Sequence, residues 1–291
     1  MRPRVFSYHA PSSVAEAIDI LEQYGADARI LAGGQSLVPA MKLRLASPKH
    51  IVDITRVAAL NLIRSDNGSL VVGALATHEA IENSILVQEH CPVLAEAASH
   101  IADPIVRNRG TIGGSLCHAD PAADFPLAAL ALGAELIAAG RGSSRAIPVD
   151  RFFVGFLSTA LKTDEILTAL RISKPLPHSG GAHLKFSRRT NGLAIVGAAV
   201  TLAMDDGGNC TDVRVALSGM GQTPIRATAV EQALRSNRIT HAAIADAASL
   251  ALQQTDPPSD MHGSAEYRRS IAPVIVGRAL KLAAQRAGAL L

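Results

Sequence analysis

Two short stretches of the sequence combine paired glycines with small hydroxyl side chains. They are Ala32-Gly33-Gly34-Gln35-Ser36-Leu37 and Thr111-Ile112-Gly113-Gly114-Ser115. Because glycine lacks a Cβ, its backbone N–H groups can come close to a ligand, and consecutive free N–H groups favour an anion such as phosphate. One glycine pair alone is more typical of a tight turn without a ligand. Two such loops, roughly eighty residues apart, predict that they hold the two phosphates of one dinucleotide from opposite sides.

Other common phosphate-binding motifs do not fit the sequence. A Walker loop needs Gly-Lys-Ser/Thr, and this triplet does not occur. Gly140-Arg141-Gly142 begins like a G-x-G-x-x-G fingerprint but lacks its third glycine and a following helix. Gly219-Met220-Gly221 is followed by Pro224, at the point where the helix of such a motif begins. Both segments are interpreted as turns.

Residues for nucleophilic catalysis are not found in a recognisable arrangement. Ser36 and Ser115 have no adjacent histidine, and no Gly-x-Ser-x-Gly segment occurs. We therefore predict no catalytic residue in this chain and assign the chemistry to a bound cofactor, which the protein positions and tunes.

A metal site is an alternative for His118, Asp120 and Asp124, which fall within seven residues. A loop at this spacing need not bring three ligands together, and no further His/Asp group lies nearby in sequence. We predict no metal here and expect Asp120-Pro121 to fix a turn instead.

Composition excludes several classes of protein. Of the 291 residues, 48% are hydrophobic and 18% are charged, as in a globular protein with a sizeable core. Aromatic residues make up 3%, tryptophan is absent and the net charge is +3, so neither nucleic acid nor membrane insertion is expected. Three widely spaced cysteines do not suggest a disulfide framework or an iron–sulfur cluster held by this chain alone, and they predict a cytoplasmic location.

The elements that must position the first loop are a small β–α–β unit. Ser13 and Glu16 form a capping-box pattern that predicts the start of a helix, and Gly25 predicts its end. Strands are predicted at 29–32 and 50–54. Beyond them, Asp66-Asn67-Gly68 predicts a hairpin. Helices are predicted to start at Thr77 and at Pro92. A buried helix is predicted at 122–132, and strands are predicted at 135–139 and 166–172.

A Pro/Gly/Ser-rich stretch at 174–181 predicts a domain boundary. The predicted units are an N-terminal domain at 1–175, divided into 1–57 and 58–175, and a C-terminal domain at 176–291. The C-terminal part is expected to be an antiparallel sheet backed by helices, which makes the protein α+β. Its elements are predicted as a hairpin of 195–204 with 211–217 and helices at about 227–236, 240–254 and 264–287.

The glycine stretches, in their longer forms AGGQSLVPAMKLR and RNRGTIGGSLCHADPAADFP, resemble a known family. They look like the two FAD pyrophosphate loops of the medium, flavin-carrying subunit of molybdenum hydroxylases. The carbon monoxide dehydrogenase medium-subunit group is the most similar, and the xanthine dehydrogenase flavin domain is more distant. The resemblance covers essentially the whole chain. It implies a two-part FAD-binding domain of vanillyl-alcohol-oxidase-like (PCMH-type) fold, followed by a C-terminal domain of the carbon monoxide dehydrogenase flavoprotein type.

The resemblance also implies residues that contact FAD. Backbone N–H groups and hydroxyls of both loops are expected to bind the phosphates, although some relatives carry Asn where Ser115 stands. Asp124 would contact the adenosine side, while Lys185 would approach the flavin unless it is an exposed lysine at a sheet edge. Leu167 is either a flavin contact or core packing, and His118 is either near the flavin or structural. The full set is Ala32, Gly33, Gly34, Gln35, Ser36, Leu37, Thr111, Gly113, Gly114, Ser115, His118, Asp124, Leu167 and Lys185.

Two arginines flank the second loop and leave several interpretations open. Arg107 and Arg109 could be surface charges, interface contacts or phosphate neighbours.

The function implied by the resemblance is electron transfer through non-covalently bound FAD. Partners would be a large subunit with the molybdenum cofactor and a small subunit with two two-iron–two-sulfur clusters, arranged as a dimer of heterotrimers, with an external electron acceptor. A self-sufficient flavoprotein oxidase acting on a small alcohol or amine is the alternative, although a C-terminal third nearly free of aromatics suits it poorly. A third interpretation is an assembly module that binds no cofactor.

Overall fold

The computed structural model describes residues 2–291, which form three main β-sheets in chain order and one two-stranded ribbon. The first sheet is parallel, in the order β1-β3-β2. Its elements are β1 (Ser7–His9), α1 (Val14–Tyr24), β2 (Ala28–Leu31), α2 (Leu37–Lys42) and β3 (His50–Asp53). The predicted β–α–β unit is thus present. Strand β1 was missed because three half-exposed polar residues carry no alternating pattern.

Helix α1 shows how local sequence sets the entry to the first loop. Ser13 Oγ accepts a hydrogen bond from Glu16 N at 3.1 Å, as the capping box predicts. The returning bond differs from the expected one, since the Glu16 carboxylate accepts from Ser12 N at 2.8 Å. Gly25 ends the helix with φ +49°, a conformation that glycine adopts without strain. The chain then turns directly into β2, which leads to the first glycine loop.

The second sheet is antiparallel, in the order β4-β5-β10-β6-β7. The predicted hairpin at its edge is confirmed, with Asn67 and Gly68 both at positive φ, as a type I′ turn requires. The strands and ribbon of this subdomain are β4 (Ile63–Asp66), β5 (Ser69–Gly73), β6 (Glu135–Gly140), β7 (Ser143–Pro148), β8 (Phe153–Gly155), β9 (Ser158–Thr159) and β10 (Ile166–Ile172). Its helices are α3 (His78–Asn83), α4 (Ile85–His90), α5 (Pro92–Ser99), α6 (Pro104–Arg107), α7 (Ile112–His118) and α8 (Asp124–Leu132).

Helix α8 lies at the centre of the molecule. It is apolar on every side, and only Leu132 among its residues is not fully buried. Such a helix needs neighbours all round, and it has them in α5, α7 and the strands of the third sheet. The first residue of this helix, Asp124, is therefore carried into the boundary between the two halves of the protein.

The third sheet is antiparallel, in the order β11-β12-β13-β14. Its elements are β11 (Ser179–Phe186), β12 (Val196–Met204), β13 (Cys210–Ser218), β14 (Ile225–Arg226), α9 (Thr228–Leu234), α10 (His241–Ser249) and α11 (Ala265–Arg286). The predicted hairpin and three helices are confirmed within a few residues. The predicted linker at 174–181 is too long, since β11 already begins at Ser179.

Small residues explain that difference in the linker. A Cβ on Gly180 would lie 2.2 Å from the carbonyl oxygen of Ala283, so Gly180 is required for close contact between β11 and α11. Gly181 similarly lies against Val93 of α5. The glycine pair at the end of the predicted boundary stretch is therefore a packing feature of a strand. Within residues 2–291, no helix is both long enough and apolar enough to cross a membrane.

Candidate functional site

The two glycine loops, which are distant in sequence, are in contact in the structure. A Cβ on Gly33 would lie 2.1 Å from Arg109 O and 2.8 Å from the Cα of Gly110. Arg109 and Gly110 directly precede Thr111, the first residue of the second loop. Only glycine permits this approach of one backbone to another. The juxtaposition required for two loops to hold one dinucleotide is therefore present.

The first loop presents a run of backbone donors that the protein does not use. Among residues 2–291, the N–H groups of Gly33, Gly34, Gln35 and Ser36 have no hydrogen-bond acceptor. Gly34 has φ +75°, a conformation that glycine adopts without strain, and the chain turns here. Ser36 precedes α2, but its hydroxyl does not cap that helix. Consecutive N–H groups of this kind form a concave site for an anion.

The second loop is built differently, because its glycines open a helix. Thr111 Oγ1 accepts from Gly114 N at 3.1 Å, and this bond caps α7. Gly113 N donates to Ala74 O at 2.9 Å, and Ser115 N donates to Thr111 O at 3.0 Å. Three N–H groups that the sequence suggested as phosphate donors are thus engaged within the protein. What the loop exposes is the Gly114 backbone and the Ser115 hydroxyl.

Glycines of the second loop also serve close packing. A Cβ on Gly113 would lie 2.6 Å from the Cβ of Ala74, so this glycine lets α7 rest on the end of β5. A Cβ on Gly110 would lie 2.4 Å from His78 Nε2. The position of the second loop is therefore set by Ala74 and His78, two residues that the sequence analysis did not single out.

His78 is a buried, uncharged support for the second loop. The residue is 5% exposed, and its ring meets Phe125 edge-on with a centroid distance of 5.0 Å. Burial lowers the pKa of His78 to about 4; Asp124 opposes this shift and Arg107 adds to it. Among the described residues, Nδ1 of this ring has no hydrogen-bond partner. Its sequence context carried no signal, since a single histidine after Thr77 looks like any helix start.

Asp124 and Lys185 form a buried ion pair behind the second loop. Lys185 Nζ lies 2.9 Å from Asp124 Oδ2, and both side chains are 5% exposed. The ammonium also donates to the carbonyl oxygen of His100 at 2.8 Å. The alternative that Lys185 is an exposed sheet-edge lysine is therefore wrong: β11 is an edge strand, but α5 covers its end. No pattern in the sequence around either residue predicts that the two form a pair.

Two histidines extend this pair. His183 Nε2 lies 3.3 Å from Asp124 Oδ1, although the angles are not those of a hydrogen bond. His183 Nδ1 lies 3.3 Å from His100 Nδ1. A proton on His183 Nε2, next to the carboxylate, would make His183 Nδ1 the acceptor and His100 the donor between the rings. Burial and the neighbouring His183 lower the pKa of His100.

The remaining predicted residues lie in different surroundings. Leu167 is 3% exposed and belongs to the core under the second sheet, as the packing alternative describes. His118 is exposed at the last turn of α7. Asp120 Oδ1 accepts from Ala122 N at 2.8 Å, which confirms that Asp120 fixes the turn. No group of three or more His, Cys, Asp or Glu side chains suited to a metal ion occurs within residues 2–291.

The two flanking arginines have distinct roles. Arg107 Nε lies 3.0 Å from Glu82 Oε2, and its guanidinium also donates to the carbonyl oxygens of Ile101 and Ala102. Arg107 therefore stabilises the fold through contacts within the chain, a role that differs from a surface charge, an interface contact or a phosphate neighbour. Arg109 contributes its backbone, which contacts Gly33.

The arrangement fits a dinucleotide such as FAD. The first loop offers four consecutive free donors, the second loop contacts it, and Gly33 leaves no Cβ between them. Asp124 Oδ1 and His183 Nε2, which have no hydrogen-bond partner among the described residues, face each other at 3.3 Å.

Comparison with known proteins agrees with this fit. Residues 4–175 match the model of the FAD binding domain in molybdopterin dehydrogenase. Residues 182–283 match the model of the carbon monoxide dehydrogenase flavoprotein C-terminal domain. The first match alone covers more than half of the chain.

Individual relatives match over nearly their whole length. The carbon monoxide dehydrogenase medium chain of Hydrogenophaga pseudoflava is 39% identical over 283 residues, 97% of this chain and 98% of that protein. The 6-hydroxypseudooxynicotine dehydrogenase complex subunit alpha of Paenarthrobacter nicotinovorans is 40% identical, covering 99% and 97%. A solved structure of carbon monoxide dehydrogenase from Hydrogenophaga pseudoflava superposes with a TM-score of 0.96 at 41% identity, covering 98% of this chain and 99% of that one. The predicted α+β fold with two domains is therefore confirmed.

Proposed function

Since the chain belongs to the family of FAD-binding medium subunits of molybdenum hydroxylases, we propose that it relays electrons from a partner subunit to an external acceptor. It holds FAD non-covalently between its two glycine loops. The observation that carries this proposal is the contact of Gly33 with Arg109 and Gly110, which supports the binding of one ligand by both loops. When bound, FAD supplies reversible two-electron chemistry that no side chain offers.

The first loop binds phosphate through its backbone. Four consecutive free N–H groups, from Gly33 to Ser36, and the Ser36 hydroxyl are its donors for one anionic group. Charge-assisted hydrogen bonds contribute about 1.5–3 kcal/mol each, so a few of them suffice for tight non-covalent binding. Ala32 and Leu37 complete this loop at its two ends.

The second loop supplies a hydroxyl group and an exposed stretch of backbone that a ligand can contact. Its N–H groups at Gly113, Gly114 and Ser115 already bond within the protein, so we assign the contact to Ser115 Oγ and to the exposed face of Gly114. Thr111 holds the helix that carries both. His118, exposed on the same helix, lies within reach of a ligand on that face.

The Asp124–Lys185 pair positions the cofactor site rather than adding net positive charge to it. A lone ammonium near a flavin would stabilise the reduced anionic ring, but a carboxylate at 2.9 Å cancels most of that field at a distance. The pair instead fixes β11 against α8 and holds Asp124 on the adenosine side of the proposed cofactor site.

The partners follow from family membership. We assign the chain to a complex with a large molybdenum-cofactor subunit and a small subunit holding two two-iron–two-sulfur clusters, assembled as a dimer of heterotrimers in the cytoplasm. Substrate binds to the large subunit, since relatives of nearly equal similarity are named for carbon monoxide and for 6-hydroxypseudooxynicotine. The medium subunit therefore accepts electrons that another subunit has already removed from the substrate.

A spectroscopic experiment tests the proposal. The chain is purified alone and reconstituted with FAD, and it is then combined with its co-expressed partners. The visible absorption band of the oxidised flavin is recorded after substrate is added in the absence of oxygen. We expect one FAD per chain and flavin bleaching only in the assembled complex. A reconstituted chain that binds no FAD, or a lone chain that oxidises a small alcohol or amine, would overturn the proposal.

A further inference from the structure

The two glycine loops are carried by different sheets. The first loop follows β2, and the second opens α7, which lies beside the second sheet. The first sheet with its helices (7–53) is called the first-sheet unit, and the second sheet with its helices (63–172) the second-sheet unit. Within residues 2–291, no strand of one unit pairs with a strand of the other. A ligand held by both loops therefore bridges two units, and contacts that keep the units together also retain the ligand.

Apolar packing joins the two units over part of their boundary. Ile18 and Leu21 of α1 share a buried cluster with Leu75 and Ile166 of the second-sheet unit. An open cleft of about 320 Å³ lies next to this cluster, between α1 and the turn that joins β6 to β7. Because Ile18 belongs to the cluster and also lines the cleft, the cleft marks the outer edge of the apolar contact.

A single arginine spans this cleft. Arg141 stands in the two-residue turn between β6 and β7, where Gly142 has φ +63°. Its Nη2 lies 2.9 Å from Asp19 Oδ1, and its Nε lies 3.1 Å from Glu22 Oε2, both on α1. Among residues 2–291, these are the only ion pairs between the two units. The bond from Arg141 to Asp19 is likewise the only side-chain hydrogen bond between them in this part of the chain.

The junction with the C-terminal domain is held differently. Buried and partly buried ion pairs cross it, Asp124 with Lys185 and Glu96 with Arg286. The side chain of Arg141, in contrast, is 69% exposed. Exposed ion pairs contribute little each, and salt screens them. The polar contact between the two units that carry the loops is therefore the one that salt should weaken.

We propose that Arg141 is a positioning residue, which holds the first-sheet unit against the second-sheet unit and so slows the release of FAD. The inference rests on the proposed function, which supplies the ligand. FAD leaves after one loop withdraws from the other, and this movement requires the units to separate. The ion pairs of Arg141 with Asp19 and Glu22 are broken in the open form, so they lower the population of that form.

The rate of FAD release tests the inference. The assembled complex, loaded with FAD, is diluted into buffer without FAD, and the fluorescence of the freed flavin is followed with time. Arg141→Ala should release FAD about fivefold faster than the wild type at low salt. This difference should disappear at about 1 M salt, where the screening length falls to about 3 Å. Arg171→Ala is the matched control, because Arg171 also makes an exposed ion pair, with Glu135 at 3.3 Å, but within the second sheet.

Neutralising the acidic partners separates this role from a direct attraction between Arg141 and the FAD phosphates. Asp19→Asn/Glu22→Gln removes negative charge, so a direct attraction predicts slower release. Loss of the ion pairs instead predicts faster release, as in Arg141→Ala. The exchanged pair Arg141→Glu/Asp19→Arg keeps the net charge of the wild type and should release FAD more slowly than Arg141→Glu alone.

Several outcomes would overturn the inference. They are equal release by the wild type and Arg141→Ala, equal acceleration in Arg171→Ala, slower release in Asp19→Asn/Glu22→Gln, or no recovery in the exchanged pair. FAD content separates the two proposals. A wild-type complex without FAD contradicts the proposed function, whereas FAD-loaded variants with the wild-type release rate contradict only the role of Arg141.

Discussion

Asp124 Oδ2 lies 2.9 Å from Lys185 Nζ, and this bond joins the N-terminal FAD-binding domain to the C-terminal domain. Asp124 begins α8, the most buried helix of the first domain, and Lys185 is the second-last residue of β11 in the second. His183, two residues earlier on the same strand, lies 3.3 Å from the other carboxylate oxygen. The junction of the domains is thus held by charge in a nearly dry environment, directly behind the second glycine loop.

Removal of either charge of this pair should destabilise the protein strongly. Lys185→Met leaves the Asp124 carboxylate buried without its ammonium, which typically costs about 3–5 kcal/mol. The double variant Asp124→Asn/Lys185→Met should recover much of that loss because no uncompensated charge remains. Free energies of unfolding from urea titration provide the measurement.

The exposed pair Lys49–Asp27 is a matched control. Its separation is also 2.9 Å, but the side chains are 71% and 51% exposed. Lys49→Met should therefore change stability by no more than about 1 kcal/mol. Similar losses for Lys185→Met and Lys49→Met would contradict a role for burial.

Substitution of Gly33 should separate the two loops. In Gly33→Ala the new Cβ would meet Arg109 O at 2.1 Å, so one backbone must move. We expect at least tenfold weaker FAD binding, measured by quenching of flavin fluorescence, and a loss of about 1–3 kcal/mol in stability. Gly155→Ala is the control, because its Cβ would meet only Ser158 Cβ at 3.9 Å. Unchanged FAD affinity in Gly33→Ala would show that the contact of the loops does not form the site.

Local sequence rules predicted most elements of this fold because those elements carry their own signals. The Ser13 cap, the Asn67-Gly68 turn and the apolar segment of α8 each depend on residues within a few positions of one another. The same rules missed β1, whose formation depends on pairing with β3 more than forty residues away.

The candidate site was predictable only in part, for a similar reason. Glycine pairs and hydroxyls mark both loops, but whether a backbone N–H is free depends on its surroundings. Those of the first loop are free, whereas Ala74 and Thr111 accept the ones of Gly113 and Gly114. The burial of Lys185 on an edge strand likewise results from coverage by α5, which no pattern around Lys185 contains.

His78 should make the protein less stable as pH falls. Its pKa is about 4 in the folded chain because of burial, against an ordinary value of 6.5. Between these values the unfolded chain binds a proton that the folded chain does not, so this contribution is lost as pH drops from about 6.5 toward 4. The loss should be about 2 kcal/mol between pH 7.5 and 5, measured as the difference in free energy of unfolding.

Variants isolate this effect from other titrating groups. His78→Gln should lose that part of the pH dependence, whatever its stability at pH 7.5. His262→Gln, which alters an exposed ring, should retain the wild-type dependence. An unchanged pH dependence in His78→Gln would mean that His78 is not the group that resists protonation.

Two exposed serines should affect different properties, one the stability of the fold and the other the affinity for FAD. Ser13 Oγ caps α1 with a 3.1 Å bond, whereas the Ser36 hydroxyl caps nothing although it precedes α2. Ser13→Ala should therefore lower the free energy of unfolding by about 1 kcal/mol and leave FAD affinity unchanged. Ser36→Ala should leave stability within about 0.5 kcal/mol and weaken FAD binding about tenfold, the equivalent of one charge-assisted hydrogen bond near 1.4 kcal/mol. Urea titration and flavin fluorescence on the same two preparations give both numbers, and a loss of stability without a loss of affinity in Ser36→Ala would identify Ser36 as a structural residue.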